Sequence, residues 1–173
     1  MFADEARETP VLTWHGLRQQ TEKQPGKPSR CLADFVAPLV DSKGQPTKLQ
    51  DYVGVFAVTA GIGVEKREQA FEAAHDDYSA IMLKALADRF AEAFAECMHE
   101  RVRKDLWGYA AQENASLEDL IAEKYQGIRP APGYPACPDH SVKKQMFDLL
   151  QCEEIGMGLT ESLAMTCLLY TSD

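Results

Sequence analysis

From Val64 to Trp107 the chain carries neither glycine nor proline, and its large apolar residues return at close to helical spacing. Phe71, Tyr78, Met82, Leu86, Phe90, Phe94, Met98, Val102 and Leu106 follow one another mostly in steps of four, with Ala74, Ala85 and Cys97 as three-residue neighbours. That pattern predicts helix with one buried stripe. A straight helix of this length would run about 60 Å, long for a small domain. A break near "HDDY" (75–78) is therefore expected, with Asp76 or Asp77 capping a second helix. "SLED" (116–119) resembles a capping box with Asp in the usual Glu position and predicts a short helix to about Tyr125. "SVKKQMFDLLQC" (141–152) puts Val142, Met146, Leu149 and Leu150 on one helical face.

Strand signals flank this helical block. Residues 9–20, with Trp14, read as a short strand running into a polar turn, and "CLADFVAP" (31–38) has strand propensity in Leu32, Phe35 and Val36. "DYVGVFAVTAG" (51–61), uncharged after Asp51, reads as a strand buried on both faces. Segments 21–30 and 41–50 are loops by their Pro, Gly and polar content, and 155–166 suggests a turn and a last strand. Strands, then helices, then a return to strand predict an α+β fold rather than alternating βαβ units. Gly61 and Gly63 sit between a predicted strand and a helix, but the third position of a dinucleotide fingerprint is Lys66, so that reading is rejected.

Composition narrows the function classes. At 173 residues the chain is one domain or a piece of one, with 45% hydrophobic and 26% charged residues, as in ordinary folded proteins. A net charge of −9 repels phosphate backbones and argues against a nucleic-acid partner. No apolar run is long enough for a bilayer, and the charged start Met1–Glu8 lacks a secretory core; a cytoplasmic protein off the membrane is expected. The five cysteines and four histidines are scattered, without C-x-x-C or H-E-x-x-H spacing, so packing thiols are expected and no metal site.

"YQGIRPAPGYPACPDH" (125–140) carries the candidate chemistry. Pro130, Pro132, Pro135 and Pro138 stiffen it and bias Arg129, Ala131 and Tyr134 toward extended backbone, while Gly133 permits geometry that a side chain forbids. Backbone groups left free by the prolines, beside one guanidinium and one phenol ring, suit a small polar ligand with a carboxylate. A structural bend with Arg129 bonded to nearby carbonyls is the other reading, and composition leaves both open.

At these residues the chain resembles the C-terminal activation domain of cobalamin-dependent methionine synthase, whose motif of Arg, three residues, then Gly-Tyr stands here as Arg129 to Tyr134. "LRQQTEK" (17–23), "CLADFVAP" (31–38), "GVFAVTAGIG" (54–63), "HDDYSAIMLKALADRFAEAFAE" (75–96), "HERVRKDLWGYA" (99–110) and "LTESLAM" (159–165) also resemble the family, in family order. The resemblance runs through Thr166, giving a central part of the domain over 1–166; "CLLYTSD" (167–173) departs from it and reads as a foreign tail.

The resemblance implies a twisted antiparallel sheet with flanking helices, and a module that binds S-adenosylmethionine (AdoMet). That module would present AdoMet for reductive remethylation of inactive cob(II)alamin in a methyltransferase. It implies Arg129 at the methionyl carboxylate, backbone contacts from Ala131 and Gly133, a ring or hydroxyl from Tyr134, and Glu92 as an acidic position near the ligand, with Glu123 a second. Helical periodicity alone makes Glu92 solvent-facing, and Glu123 alone reads as a solvated helix-end carboxylate. Also implied are cobalamin and zinc in other domains of the full-length protein, a cobalamin-binding domain of the same polypeptide as partner, a flavodoxin-like or flavoprotein reductase, and further family sequence, with a ligand-touching aspartate, before Met1. A free-standing AdoMet-binding or flavoprotein-docking module, and a helical interaction protein whose proline loop is only a bend, are the competing readings.

Overall fold

The structure is a computed structural model that describes residues 1–167. They divide into two compact units interleaved along the chain. One comprises Met1–Phe56, Pro130–Gln151 and Glu161–Ala164; the other comprises Ala57–Arg129, Cys152–Thr160 and the residues from Met165.

The second unit is built on two consecutive helices, α1 (Val64–Ala73) and α2 (Asp77–Arg101), which pack on each other. The break between them falls where the sequence places it. His75 takes a positive φ, and the Asp76 carboxylate accepts from the Ser79 amide at 3.0 Å, closing the N-terminus of α2. That hydrogen bond, from the Ser79 side chain first and its backbone second, holds the Asp76 carboxyl below its ordinary pKa. An ion pair between Lys84 and Glu68 ties the two helices. After α2 the chain makes one π-helical turn, Val102–Leu106, and then reaches α3 (Leu117–Ile121). Ser116 and Asp119 form the expected capping box, and α3 stops short of Tyr125 because Glu123 adopts φ +55°. Strands β1 (Met157–Leu159) and β2 (Met165–Cys167) pair antiparallel, with Gly158 opposite Thr166. Of the tail over 167–173, only Cys167 lies within the described residues.

The first unit holds a 3-10 turn at Leu32–Phe35 and helix α4 (Val142–Leu150). Asp34 anchors the turn: it accepts from the Cys31 amide and receives both terminal nitrogens of Arg18, at 2.7 and 2.8 Å. The Arg18 bond is the main reason its carboxyl is pulled down to about 2. Lys143 is buried on α4, and its ammonium donates to the Leu163 carbonyl at 2.8 Å, pinning 161–164 to the helix. Val142 is the buried anchor of the predicted α4 face, whereas Leu149 is exposed.

The α+β class expected from the sequence holds, with four helices and an antiparallel sheet that has two strands among the described residues. Two local expectations fail. The stretches 9–20, 31–38 and 51–61 form no strands. β-propensity records how a side chain fits a pleated, half-buried surface, and it yields a strand only where a partner ladder exists.

The stripe read as buried on α2 is largely exposed, Tyr78 at 74% and Phe90 at 65%, with Met82, Leu86 and Phe94 exposed beside them. The sheltered line is offset and small: Ala80 is buried and Leu83, Ala87, Ala91 and Ala95 are half-buried. Periodicity weights the large residues, but close helix approach selects the alanines.

An exposed apolar stripe of this kind marks association or aggregation. Changing Ile81 and Phe90 to lysine in the 173-residue polypeptide is expected to cut light scattering and dye binding to apolar surface, with less than about 0.5 kcal/mol change in stability per site. Unchanged scattering would show that the stripe does not drive association.

Candidate functional site

In the second unit two polar residues near the C-terminal end of α2, and one in the π-turn after it, turn inward. Glu96, His99 and Arg103 follow one another at helical spacing on the face near Tyr125 and Arg129. Arg103, placed by the π-turn, is 0% exposed, yet three groups satisfy it. Its Nε and Nη2 donate to the two carboxylate oxygens of Glu113 at 2.8 and 2.6 Å, and its Nη1 lies 2.7 Å from His99 Nδ1. Its guanidinium carbon stands 4.3 Å from the Tyr125 ring centre, and His99 meets the same ring edge-on at 4.8 Å. A bidentate carboxylate with a stacked ring is the arrangement that makes a buried guanidinium tolerable.

Arginine can only donate, so His99 Nδ1 must be the acceptor and its proton sits on Nε2. Burial first, then the charges of Arg103 and Arg129, push His99 down to about 4, so the ring is neutral at pH 7. The Arg103 hydrogen bond holds Glu113 below the usual carboxylate range. Burial and then the charge of Glu96 push the Tyr125 phenol up.

Arg129 follows Tyr125 in the same unit. Its Nη2 donates to Glu96 Oε2 at 2.8 Å, and both side chains are near one-third exposed (31% and 29%). The pair is single-pronged. Arg129 Nε and Glu96 Oε1 are both shielded from solvent and lack a hydrogen-bond partner. Each such group costs about 1–3 kcal/mol until something satisfies it. Arg129 is therefore not closed into a network of its own chain.

Glu92, one turn earlier on α2, is 68% exposed and pairs with Arg89 at 2.7 Å rather than with Arg129. That is where periodicity puts it. Glu123 is exposed at the end of α3.

Ala131, Gly133 and Tyr134 belong to the first unit. There the proline segment folds into a tight, internally bonded turn: Tyr134 N donates to Ala131 O, Cys137 N to Tyr134 O, and Gly133 N to Cys137 O, at 3.1, 2.8 and 2.8 Å. The expectation of an extended segment with free amides is corrected by these bonds. The prolines remove competing donors, so the remaining amides pair locally. Tyr134 is exposed, with its ring available, whereas Cys137 is buried. Asp139 accepts from the Ser141 amide and hydroxyl at 2.8 and 2.7 Å and ties the turn to the start of α4. Ala136, Cys137 and Asp139 also line a narrow seam with Trp14, Leu32 and Val142.

Gly133 has a specific reason to be glycine. Its φ is +103°, and a Cβ there would lie 2.6 Å from His140 Cε1. Gly133→Ala is expected to strain the turn by about 1–2 kcal/mol, read by denaturant titration. The double change with His140→Ala should relieve the ring contact but keep the dihedral penalty. A Gly133→Ala protein as stable as the parent would contradict this.

Among the described residues no cluster of three or more His, Cys, Asp or Glu could hold a metal ion, and no helix is long and apolar enough to cross a membrane.

The family model described as "Vitamin B12 dependent methionine synthase, activation domain" matches residues 1–169. The chain belongs to that family. A solved member, "Crystal Structure of the MetH Reactivation Domain bound to AdoHcy", is similar at 57% sequence identity with a TM-score of 0.83. The match covers 95% of this chain and 49% of that one, so this chain spans about half the length of the solved activation domain.

Within the activation-domain chain, the motif singles out Arg129 to Tyr134 as candidates. Glu96, His99, Arg103, Glu113 and Tyr125 were not singled out. The available signal was the spacing of Glu96, His99 and Arg103 by three and four residues along one helix face.

Proposed function

We propose that this activation-domain chain binds AdoMet through Arg129 and the turn from Ala131 to Tyr134, and presents it for reductive remethylation of cobalamin in methionine synthase. The observation that carries the reading is the solved reactivation domain with AdoHcy, the demethylated form of AdoMet, at an identity where binding residues are commonly shared.

The chemistry of Arg129 suits the role. It is one-third exposed and bonds its own chain through a single nitrogen, Nη2. A guanidinium in that state takes a carboxylate with parallel hydrogen bonds, the group at the amino-acid end of AdoMet. Tyr134 offers an exposed ring and hydroxyl for the same ligand, and Ala131 and Gly133 would add backbone contacts, the Ala131 carbonyl already accepting from the Tyr134 amide. Glu92 and Glu123, both exposed, supply negative charge that favours a sulfonium.

A cobalamin held by a neighbouring domain of the same polypeptide would supply the nucleophile for the methyl group, with the electron coming from a flavodoxin-like reductase. The residues of this chain bind and orient the donor; no proton transfer is assigned to them. Zinc and cobalamin belong to other domains, and the protein works in the cytoplasm.

The test is methyl transfer from AdoMet to the cofactor in the intact protein under reducing conditions. Arg129→Ala is expected to abolish reactivation at limiting AdoMet while leaving methyl transfer from the folate donor in place. Undiminished reactivation would contradict the assignment.

A further inference from the structure

We propose that Glu96 is a positioning residue: it holds the Arg129 guanidinium where that group meets the carboxylate of the ligand. The inference rests on the reading of Arg129 given above and adds a residue on another element. Arg129 sits at the end of an irregular segment after α3, with four side-chain torsions to fix, whereas Glu96 projects from the C-terminal third of a regular 25-residue helix. Their one bond, Nη2 to Oε2 at 2.8 Å, ties the loose member to the rigid one. Because the contact engages Nη2 alone, the guanidinium is oriented without being saturated, although its Nε is shielded from solvent. A two-pronged pair like Arg103 with Glu113 would have used both nitrogens.

Glu96 could instead compete with the ligand for the same cation, and the two roles differ in sign. Competition predicts tighter ligand binding when Glu96 is removed. Positioning predicts weaker binding. The surroundings favour positioning. Both side chains are near one-third exposed, so solvent screens the charge that Glu96 sets against an incoming carboxylate. The nearest buried charges, Arg103 and Glu113, neutralise each other, and His99 is uncharged. The orienting bond has no such substitute.

The experiment is calorimetric binding of two ligands to the intact protein: AdoHcy and its decarboxylated counterpart, S-adenosyl-3-thiopropylamine. Glu96→Met, which keeps volume and removes the acceptor, is expected to weaken AdoHcy roughly tenfold and to change the decarboxylated ligand less than about twofold. Glu96→Gln, which keeps an acceptor oxygen, should restore most of the AdoHcy affinity. In an Arg129→Ala background, Glu96→Met should add nothing further. Should Glu96→Met fail to fold, Glu96→Asp, which withdraws the acceptor by one methylene, carries the same pair of expectations.

Equal weakening of both ligands, or tighter AdoHcy binding, overturns the positioning role and leaves the AdoMet reading standing. Parent protein that does not bind AdoHcy, or Arg129→Ala that binds it normally, removes both.

Discussion

Glu113→Gln is expected to destabilise the protein by about 3–5 kcal/mol, although the substitution barely changes shape. The cause is Arg103. It is fully buried, and both of its Glu113 bonds are short and directed. Glutamine offers one oxygen in place of two and no charge, so the guanidinium remains shielded from water with its charge uncompensated. His99 cannot replace the carboxylate, since it is neutral and contributes one nitrogen acceptor. Arg103→Met should cost less than Glu113→Gln, because it removes the buried charge itself, and Tyr125 can pack on the thioether. The two changes together should cost less than the sum of the singles. Urea titration of the four proteins measures the cycle. A loss under about 1 kcal/mol for Glu113→Gln would mean that water reaches Arg103 and that the pair is not buried in solution.

Acid should act on the same cluster before it acts on ordinary carboxylates. His99 titrates near 4 in the folded chain, against an ordinary 6.5 when unfolded, chiefly because of burial and then the Arg103 charge. A group depressed in this way is protonated more readily in the unfolded chain. Its stabilising effect is therefore whole above about pH 6.5 and drains away as pH falls toward 4. The full loss from this residue is roughly 3 kcal/mol. Glu113, also depressed, adds a second loss as pH falls below the usual carboxylate range through its folded value. Denaturation between pH 7 and 4 should show a decline that begins near 6.5, and His99→Gln should remove its upper part. Stability that stays flat from pH 7 to 5 would contradict the neutral, buried His99.

What could be read from the sequence was local chemistry. The helix break at Asp76, the capping box of Ser116 and Asp119 and helix α4 each follow from side chains acting on neighbouring backbone, and each stands where expected. What failed depends on distant partners. Val53, Val55 and Phe56 have strand character, but no ladder forms on them. Tyr78, Phe90 and Phe94 have the period of a buried stripe, yet the alanine line beside them is the sheltered one, because packing distance rather than side-chain size chose the face.

The site shows the same division. Arg129, Gly133 and Tyr134 could be put forward as candidates because their spacing is itself the motif. Glu96, His99 and Arg103 look like an ordinary charged helix face until Glu113 and Tyr125, from later segments, close over them. The amides of the proline turn were expected to be free; only the backbone path reveals that they bond one another.

The central claim is that the Arg129 guanidinium holds the amino-acid end of AdoMet, and calorimetric titration of AdoHcy into the parent protein and Arg129→Ala tests it most directly. Saturable one-to-one binding by the parent, weakened roughly a hundredfold in the variant, is the predicted result. Equal affinity in the two proteins would contradict it.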